Sequence, residues 1–312
     1  HYPLRRQRQM CIRDRSTATV SRVLNGGRVR PGTARSVERA MRRLGYVPNR
    51  VARGLVTGRS DVVGVLVPDL VGPLNAAVAR GVEDVLEERG LHAVVMTDHR
   101  EAERERVRLA TMVARRVDGL VLIGSELDDH DIRATVGATP VVHVGAETTR
   151  GDLPEVRVDN AAGIESELTR LAADGHRRIA HLAGPRRDGR ERREALERLA
   201  PAMGLELVAV EDGDFSEEGG LRGGRALLRR DGFSAVVCGN DRSAVGLYAA
   251  ARERGLRLPD DLAVVGFDDL PWSAYLDPAL TTVRQPSREM GRAAAARVLL
   301  SLIHISEPTR PY

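Results

Sequence analysis

The sequence predicts an α/β protein of the doubly wound, parallel-sheet type, preceded by a small all-α segment. Three observations carry this. From Asp61 onward, short Val-rich runs alternate with amphipathic helical stretches, the pattern of parallel strands buried between two layers of helices. Residues 16–44 show only the helical period. The charge is also divided: residues 16–60 hold ten Arg and one acid, Glu38, a net of +9, and residues 1–15 add +4, which leaves −9 on the remainder of a chain whose net charge is +4. A compact basic segment on an acidic body is the electrostatic footprint of nucleic-acid binding. Arg abundance by itself says little, because all 48 basic residues are Arg, as a GC-rich coding bias would give.

The all-α segment starts at Ser16, placed to cap the helix TATVSRVLN, which Gly26 and Gly27 end. Val20, Val23 and Leu24 fall on one face. A second helix is predicted from Thr33 to Leu44, stopped by Gly45; Val37, Ala40, Met41 and Leu44 form its apolar face, and Arg35, Arg39, Arg42 and Arg43 its basic one. Residues 46–60 form a linker that can order on binding. Pro48 suits a helix start there, and Gly54 and Gly58 weaken that helix.

Ten strands are predicted, at 62–67, 92–97, 119–124, 140–145, 155–158, 178–183, 206–210, 234–238, 262–267 and 280–284. The period alone leaves open whether they form one large sheet or two smaller ones. Ligands of such folds bind beyond the carboxyl ends of strands. Polar clusters lie at those ends: Asp69, Asp159-Asn160, Gly184-Pro185, Asn240-Asp241 and Asp268-Asp269. Neighbouring residues on a strand face opposite ways, so one of Asp268 and Asp269 faces a pocket and the two do not share acid–base work.

Enzyme signatures are missing. No phosphate-binding G-x-x-x-x-G-K-[ST] loop, H-E-x-x-H, G-x-S-x-G or strand-following G-x-G-x-x-G occurs. Eight scattered His and two distant Cys, Cys11 and Cys238, suggest neither a metal site nor a disulfide framework. No cofactor is expected. No run of about 18 apolar residues suggests a membrane span, and the start has no apolar signal-peptide core. A cytoplasmic protein is expected.

The helix STATVSRVLN is the most specific feature. Thr17, Ala18, Ser21 and Arg22 flank its apolar face, and the short side chains near its start allow close approach to base edges. Arg22 can read guanine by a bidentate pair, while Ser16, Thr19 and Ser21 can bond phosphates. STATVSRVLN followed by LGYVPNRVARGL closely resembles the headpiece of the LacI/GalR family. VGVLVPDL, VRVDNAAG, LAADGHRRIAHLAGP and the block VVCGNDRSAVGLYAAARERGLRLPDDLAVVGFDDLPWSAYLDPALTTVRQP resemble that family's core in family order, over about residues 16–300.

The resemblance implies a homodimeric, sequence-specific repressor. Its helix-turn-helix headpiece and hinge (16–60) bind a palindromic operator in double-stranded DNA. Its two-lobed, periplasmic-binding-protein-like core (61–300) binds a small effector between the lobes. Thr17, Ala18 and Arg22 would face bases, and Ser16, Thr19, Ser21 and Asn25 the backbone. Asn49, Ala52 and Leu55 match the hinge helix, with Leu55 as a minor-groove wedge; Gly54 departs from the better helix formers usual there. In the core, Asp69, Leu74, Arg192, Phe215, Asn240 and Asp268 match effector-binding positions. Two departures stand out. The family's R-x-x-G-aromatic appears as Arg192-x-x-Ala195-Leu196, so that Arg190 or Arg193 can serve instead. Its N-P-F-F appears as Gly72-Pro73-Leu74-Asn75, which removes one aromatic wall. A planar side chain with Asn, Asp and Arg suits a sugar; a purine also fits.

The termini interrupt the pattern. QMCIRDR, and SLIHISEPTRPY at the end, resemble translated sequencing adapters, so residues 1–15 and 301–312 are expected to be non-native. A headpiece whose first helix is replaced by HYPLRRQRQMCIRDR is expected to bind DNA weakly, mostly through charge. Two other classes compete: a sugar-binding solute receptor without a DNA role, which would not need STATVSRVLN, and an enzyme on an open sheet, which would need a motif the chain lacks. No membrane partner is expected.

Overall fold

The computed structural model describes residues 17–24, 27–44, 59–147 and 151–306. The chain divides into two compact units, His1–Ser60 and Asp61–Tyr312.

In the first unit, helix α1 (Thr17–Leu24) packs on α2 (Pro31–Leu44). Val20 and Val37 are buried at their contact, with Val23, Met41 and Leu44 around them, the faces expected from the helical period. α2 starts two residues before the predicted Thr33. Pro31 explains the difference: its fixed φ suits the first helical turn, where its missing N–H costs nothing.

All ten predicted strands are present in the second unit. β1 (Val62–Val67), β2 (His92–Thr97), β3 (Gly119–Ile123), β4 (Val141–Val144) and β5 (Glu155–Val156) form one parallel sheet in the order β2-β1-β3-β4-β5. β6 (Arg178–Ala183), β7 (Glu206–Asp212), β8 (Ala235–Cys238), β9 (Ala263–Asp268) and β10 (Thr281–Arg284) form a second, ordered β10-β9-β8-β6-β7. Both sheets thus have the same winding, and the question of one sheet or two is settled as two lobes.

Connecting helices cover both faces of each sheet. In the first lobe these are α3 (Pro73–Glu87), α4 (Ala102–Ala114) and α5 (Asp129–Val136). In the second they are α6 (Asn160–Ala173), α7 (Arg186–Leu199), α8 (Glu217–Leu227) and α9 (Asp241–Glu253). Strand alternation divides each core. Val63, Val65 and Val67 pack towards α3, while Leu66, Leu120 and Leu122 meet Leu109 and Met112 of α4. In the second lobe Leu182, Val236 and Cys238 pack with α8 and α9, and Ile179, Val237 and Phe267 with α6 and α7. Cys238 is buried as a small apolar residue.

The last helix, α10 (Ser287–Ser306), follows β10 of the second lobe but returns to the first. Met290, Ala294, Ala295 and Val298 complete the cluster around Val63, Val65 and Val67. The crossing with α3 is close because both helices carry Gly there. A Cβ on Gly81 would lie 2.0 Å from the Arg288 carbonyl oxygen, and one on Gly291 2.0 Å from that of Val78. α10 continues past Leu300, and Leu302 packs against the same cluster.

Candidate functional site

The carboxyl ends of the two sheets face one cavity of about 150 Å³. Asp69, Leu74, Arg192, Phe215, Asn240 and Asp268, the six effector positions expected from the sequence, all line it. They come from both lobes, so a molecule held there touches each.

On the first lobe, β1 ends at Val67 and the chain turns through Asp69. Its Oδ1 accepts hydrogen bonds from the backbone N–H of Val71 (2.9 Å) and Gly72 (2.7 Å), which shapes the loop into α3. Pro73 opens α3 and puts Leu74 and Asn75 on the cavity in its first turn. Leu74 is an aliphatic wall where the family pattern has an aromatic.

The second lobe supplies the other wall. Asn240 caps α9: its Oδ1 accepts from Ser243 N–H at 2.9 Å, and its Nδ2 donates to the Phe215 carbonyl at 3.2 Å. The Phe215 ring lies so close to Gly184 that a Cβ there would sit 1.9 Å from the ring. Arg100, Arg186, Phe215 and Asp268 all line the cavity with positive φ, at 60°, 64°, 63° and 133°. Such conformations cost of order 1–3 kcal/mol each and gather at ligand clamps.

Arg192 is 2% exposed. Its Nε donates to Asn160 Oδ1 at 2.9 Å and a terminal nitrogen to the Gly239 carbonyl at 2.6 Å. The guanidinium carbon stands 3.7 Å from the Phe267 ring centre and 5.7 Å from that of Phe215, a cation–π arrangement. The two other candidate arginines are exposed on the far side of α7, and Arg193 pairs there with Glu197 at 2.8 Å. Ala195 and Leu196, which stand for the family's Gly and aromatic, are buried in the lobe core.

Two buried carboxyls complete the electrostatics. Asp268 is 8% exposed, and its Oδ1 accepts from Gln285 Nε2 at 2.5 Å. Burial pushes its pKa up to about 7; Arg192 opposes this and Asp241 adds to it. Asp269, its neighbour, is exposed, so only the first of the pair serves the cavity. Glu167 on α6 is raised well above the ordinary carboxylate range by burial, again opposed by Arg192.

A raised carboxyl pKa means that the fold favours the neutral form. The stability contributed by Asp268 is present in full below pH 4 and is lost as pH rises to about 7. Asp268→Asn stays neutral and is expected to flatten that part of the pH profile. Chemical denaturation of both proteins at pH 5 and pH 7.5 checks this: the wild type should lose more stability over that interval than the variant.

Sequence reasoning missed Arg100, Glu147, Arg186, Asp188 and Gln285, all on the cavity wall. Arg186 pairs with Glu126 at 2.8 Å, and the Arg187 N–H with Glu147 at 2.8 Å; both contacts join the second lobe to the first. No cluster of three or more potential metal-binding side chains occurs among the described residues.

On the first unit, Ala18 and Arg22 are exposed on α1 and Thr19 is half-buried, away from the buried Val20. Thr17 and Ser21 belong to the same helix, but their side chains lie outside the described residues, as do Ser16, Asn25, Asn49, Ala52 and Leu55.

Residues 16–49 match the family model of bacterial regulatory proteins, lacI family, and residues 168–311 that of the periplasmic binding protein-like domain. The transcriptional regulator CelR of Thermobifida fusca is 37% identical, over 94% of this chain and 90% of its own length. This chain belongs to the lacI family of transcriptional regulators. Catabolite control protein A of Priestia megaterium is 31% identical, over 91% of this chain and 88% of its own length. Among solved structures of the family, the lac repressor dimer bound to operator and the anti-inducer ONPF gives a TM-score of 0.85 at 28% identity, covering 93% of this chain and 90% of that one. The CelR–cellobiose complex gives 0.71 at 32%, covering 94% and 91%. The curated relatives are regulators, not enzymes.

Proposed function

We propose that this regulator is a homodimeric repressor whose affinity for a palindromic operator is set by a sugar bound between the core lobes. The observation that carries it is the convergence of six side chains from two lobes on one cavity, in a chain that also has a lacI-type headpiece. Arg192 and Asp268 bond sugar hydroxyls, Phe215 covers an apolar ring face, and Asn240 holds the Phe215 loop. Asp69 shapes the opposite wall and Leu74 lines it. CelR, which takes cellobiose, supports the sugar class. The protein acts by binding, without catalysis or cofactor, and works in the cytoplasm, where operators lie. No helix among the described residues is long and apolar enough to cross a membrane. The exposed Val94 and Val95 on the edge strand β2 suit a face covered by a second copy.

Thr17, Ala18 and Arg22 read bases, Ser16, Thr19, Ser21 and Asn25 hold phosphates, and Asn49, Ala52 and Leu55 form the hinge. The test is selection of duplexes from a random pool, using a chain given an apolar helix ahead of Ser16, followed by sugar titration of the bound complex. A palindromic consensus released by one sugar is expected; binding without sequence preference would reject the reading. Arg22→Ala is expected to remove about 1–3 kcal/mol of discrimination at one base pair. Competition between the consensus and its single-base variants measures that loss.

A further inference from the structure

We infer that Asn160 is a positioning residue of the effector site: it sets the geometry of Arg192 and Asp188 without touching the effector itself. The inference rests on the cavity being the effector site. Asn160 is the first residue of α6, where the chain passes from the first lobe into the second, and it is 2% exposed. It stands behind the cavity wall, while Arg192 and Asp188 are on it.

Both ends of its amide are used. Oδ1 accepts from Arg192 Nε at 2.9 Å. Nδ2 donates to Asp188 Oδ1 at 2.8 Å and to Glu191 Oε2 at 2.9 Å. The partners fix the orientation, because the reversed amide would set its NH₂ against a guanidinium and its oxygen against two carboxylates. A carboxylate lacks the donors and an aliphatic side chain lacks both functions, so an uncharged amide is the side chain that joins one cation to two anions here.

The node also reaches across the lobes. Glu191 accepts from Arg187 Nε at 3.0 Å, and Arg187 in turn holds the Ala146 carbonyl at 3.1 Å and Glu155 at 2.9 Å in the first lobe. Asn160 thus ties the effector-facing Arg192 to groups that register one lobe against the other.

The test is calorimetric titration of the full chain with cellobiose, ribose and glucose as probes. Asn160→Ala is expected to weaken binding about 10- to 100-fold, by analogy with the loss when a group that orients a metal ligand is removed. A role through Arg192 also requires non-additivity. In the background of Arg192→Lys, which lacks the Nε–H that Asn160 accepts, Asn160→Ala should keep only the part of its factor that runs through Asp188, whereas a merely structural role would add its full factor. A second readout needs no ligand: the Nε–H resonance of Arg192, assigned from its loss in Arg192→Lys, should shift in Asn160→Ala. Wild-type binding by Asn160→Ala, a full additive loss, or an unmoved resonance would overturn the inference. If no probe binds the wild type, the sugar reading fails, and the resonance alone decides the role of Asn160. If Asn160→Ala does not melt cooperatively, Asn160→Asp replaces it. That variant gives Arg192 a charged acceptor and repels Asp188, so it should weaken binding and move the Arg192 Nε–H resonance downfield as the bond shortens; wild-type affinity in Asn160→Asp, or an unmoved resonance, would overturn the inference.

Discussion

Arg192→Ala is expected to weaken sugar binding by at least about 100-fold and to destabilise the core by about 3 kcal/mol. The physical reason is the depth of the guanidinium. It bonds Asn160 and the Gly239 carbonyl, lies on Phe267, and is the cation that opposes the raised pKa of both Asp268 and Glu167. Truncation leaves a buried carbonyl and an amide oxygen without their donor, and removes the cation that opposes the raised pKa of the two buried carboxyls, which shifts both further toward the neutral form. Arg192→Lys keeps the charge but not the planar fork, and is expected to recover part of the stability and little of the affinity. Calorimetric titration measures the first loss and urea denaturation the second.

Gly291→Val is expected to cost the core about 3 kcal/mol or more, at the upper end of overpacking effects. Even the Cβ would meet the Val78 carbonyl oxygen at 2.0 Å, and that atom is helix backbone, which cannot turn aside. α10 must then lift off α3. That move uncovers Val78 and Val82 and separates Ala294 and Val298 from β3 and β4. Ala293→Gln, one exposed helical position two residues on, should stay within about 0.5 kcal/mol. Urea denaturation of the two variants side by side makes the comparison; equal stability would show that the helices do not cross as described.

The strands were legible because the central parallel strands, buried on both faces, appear as short apolar runs of their own length, and the edge strands β2 and β7 keep Val-rich runs although they are partly exposed. All ten predicted runs form strands, with ends differing by a few residues at most, as where β7 runs to Asp212. Their division into two sheets was not legible in the period, which carries no information on which runs pair. The return of α10 to the first lobe was equally hidden: Ala294, Ala295 and Val298 mark a buried face but not the sheet that buries it.

At the site, the groups following strand ends were legible because the fold puts strand ends at the cavity. The choice among Arg190, Arg192 and Arg193 was left open, although helical spacing decides it: Arg192 shares the buried face of Gly189, Ala195 and Leu196. Arg100 and Arg186 were lost in a chain whose every basic residue is Arg. Asp188 and Glu147 carried no signal, because single acids on helix starts and loops are common capping groups.

A sugar bound in the cavity between the lobes must stabilise the core, and thermal unfolding of the full chain with and without sugars measures that gain. A ligand at 100 times its dissociation constant adds about 2.7 kcal/mol, so one sugar of a panel that includes cellobiose should raise the melting temperature saturably in the wild type and not in Arg192→Ala. A wild type whose melting no sugar moves, or an equal rise in Arg192→Ala, would contradict it.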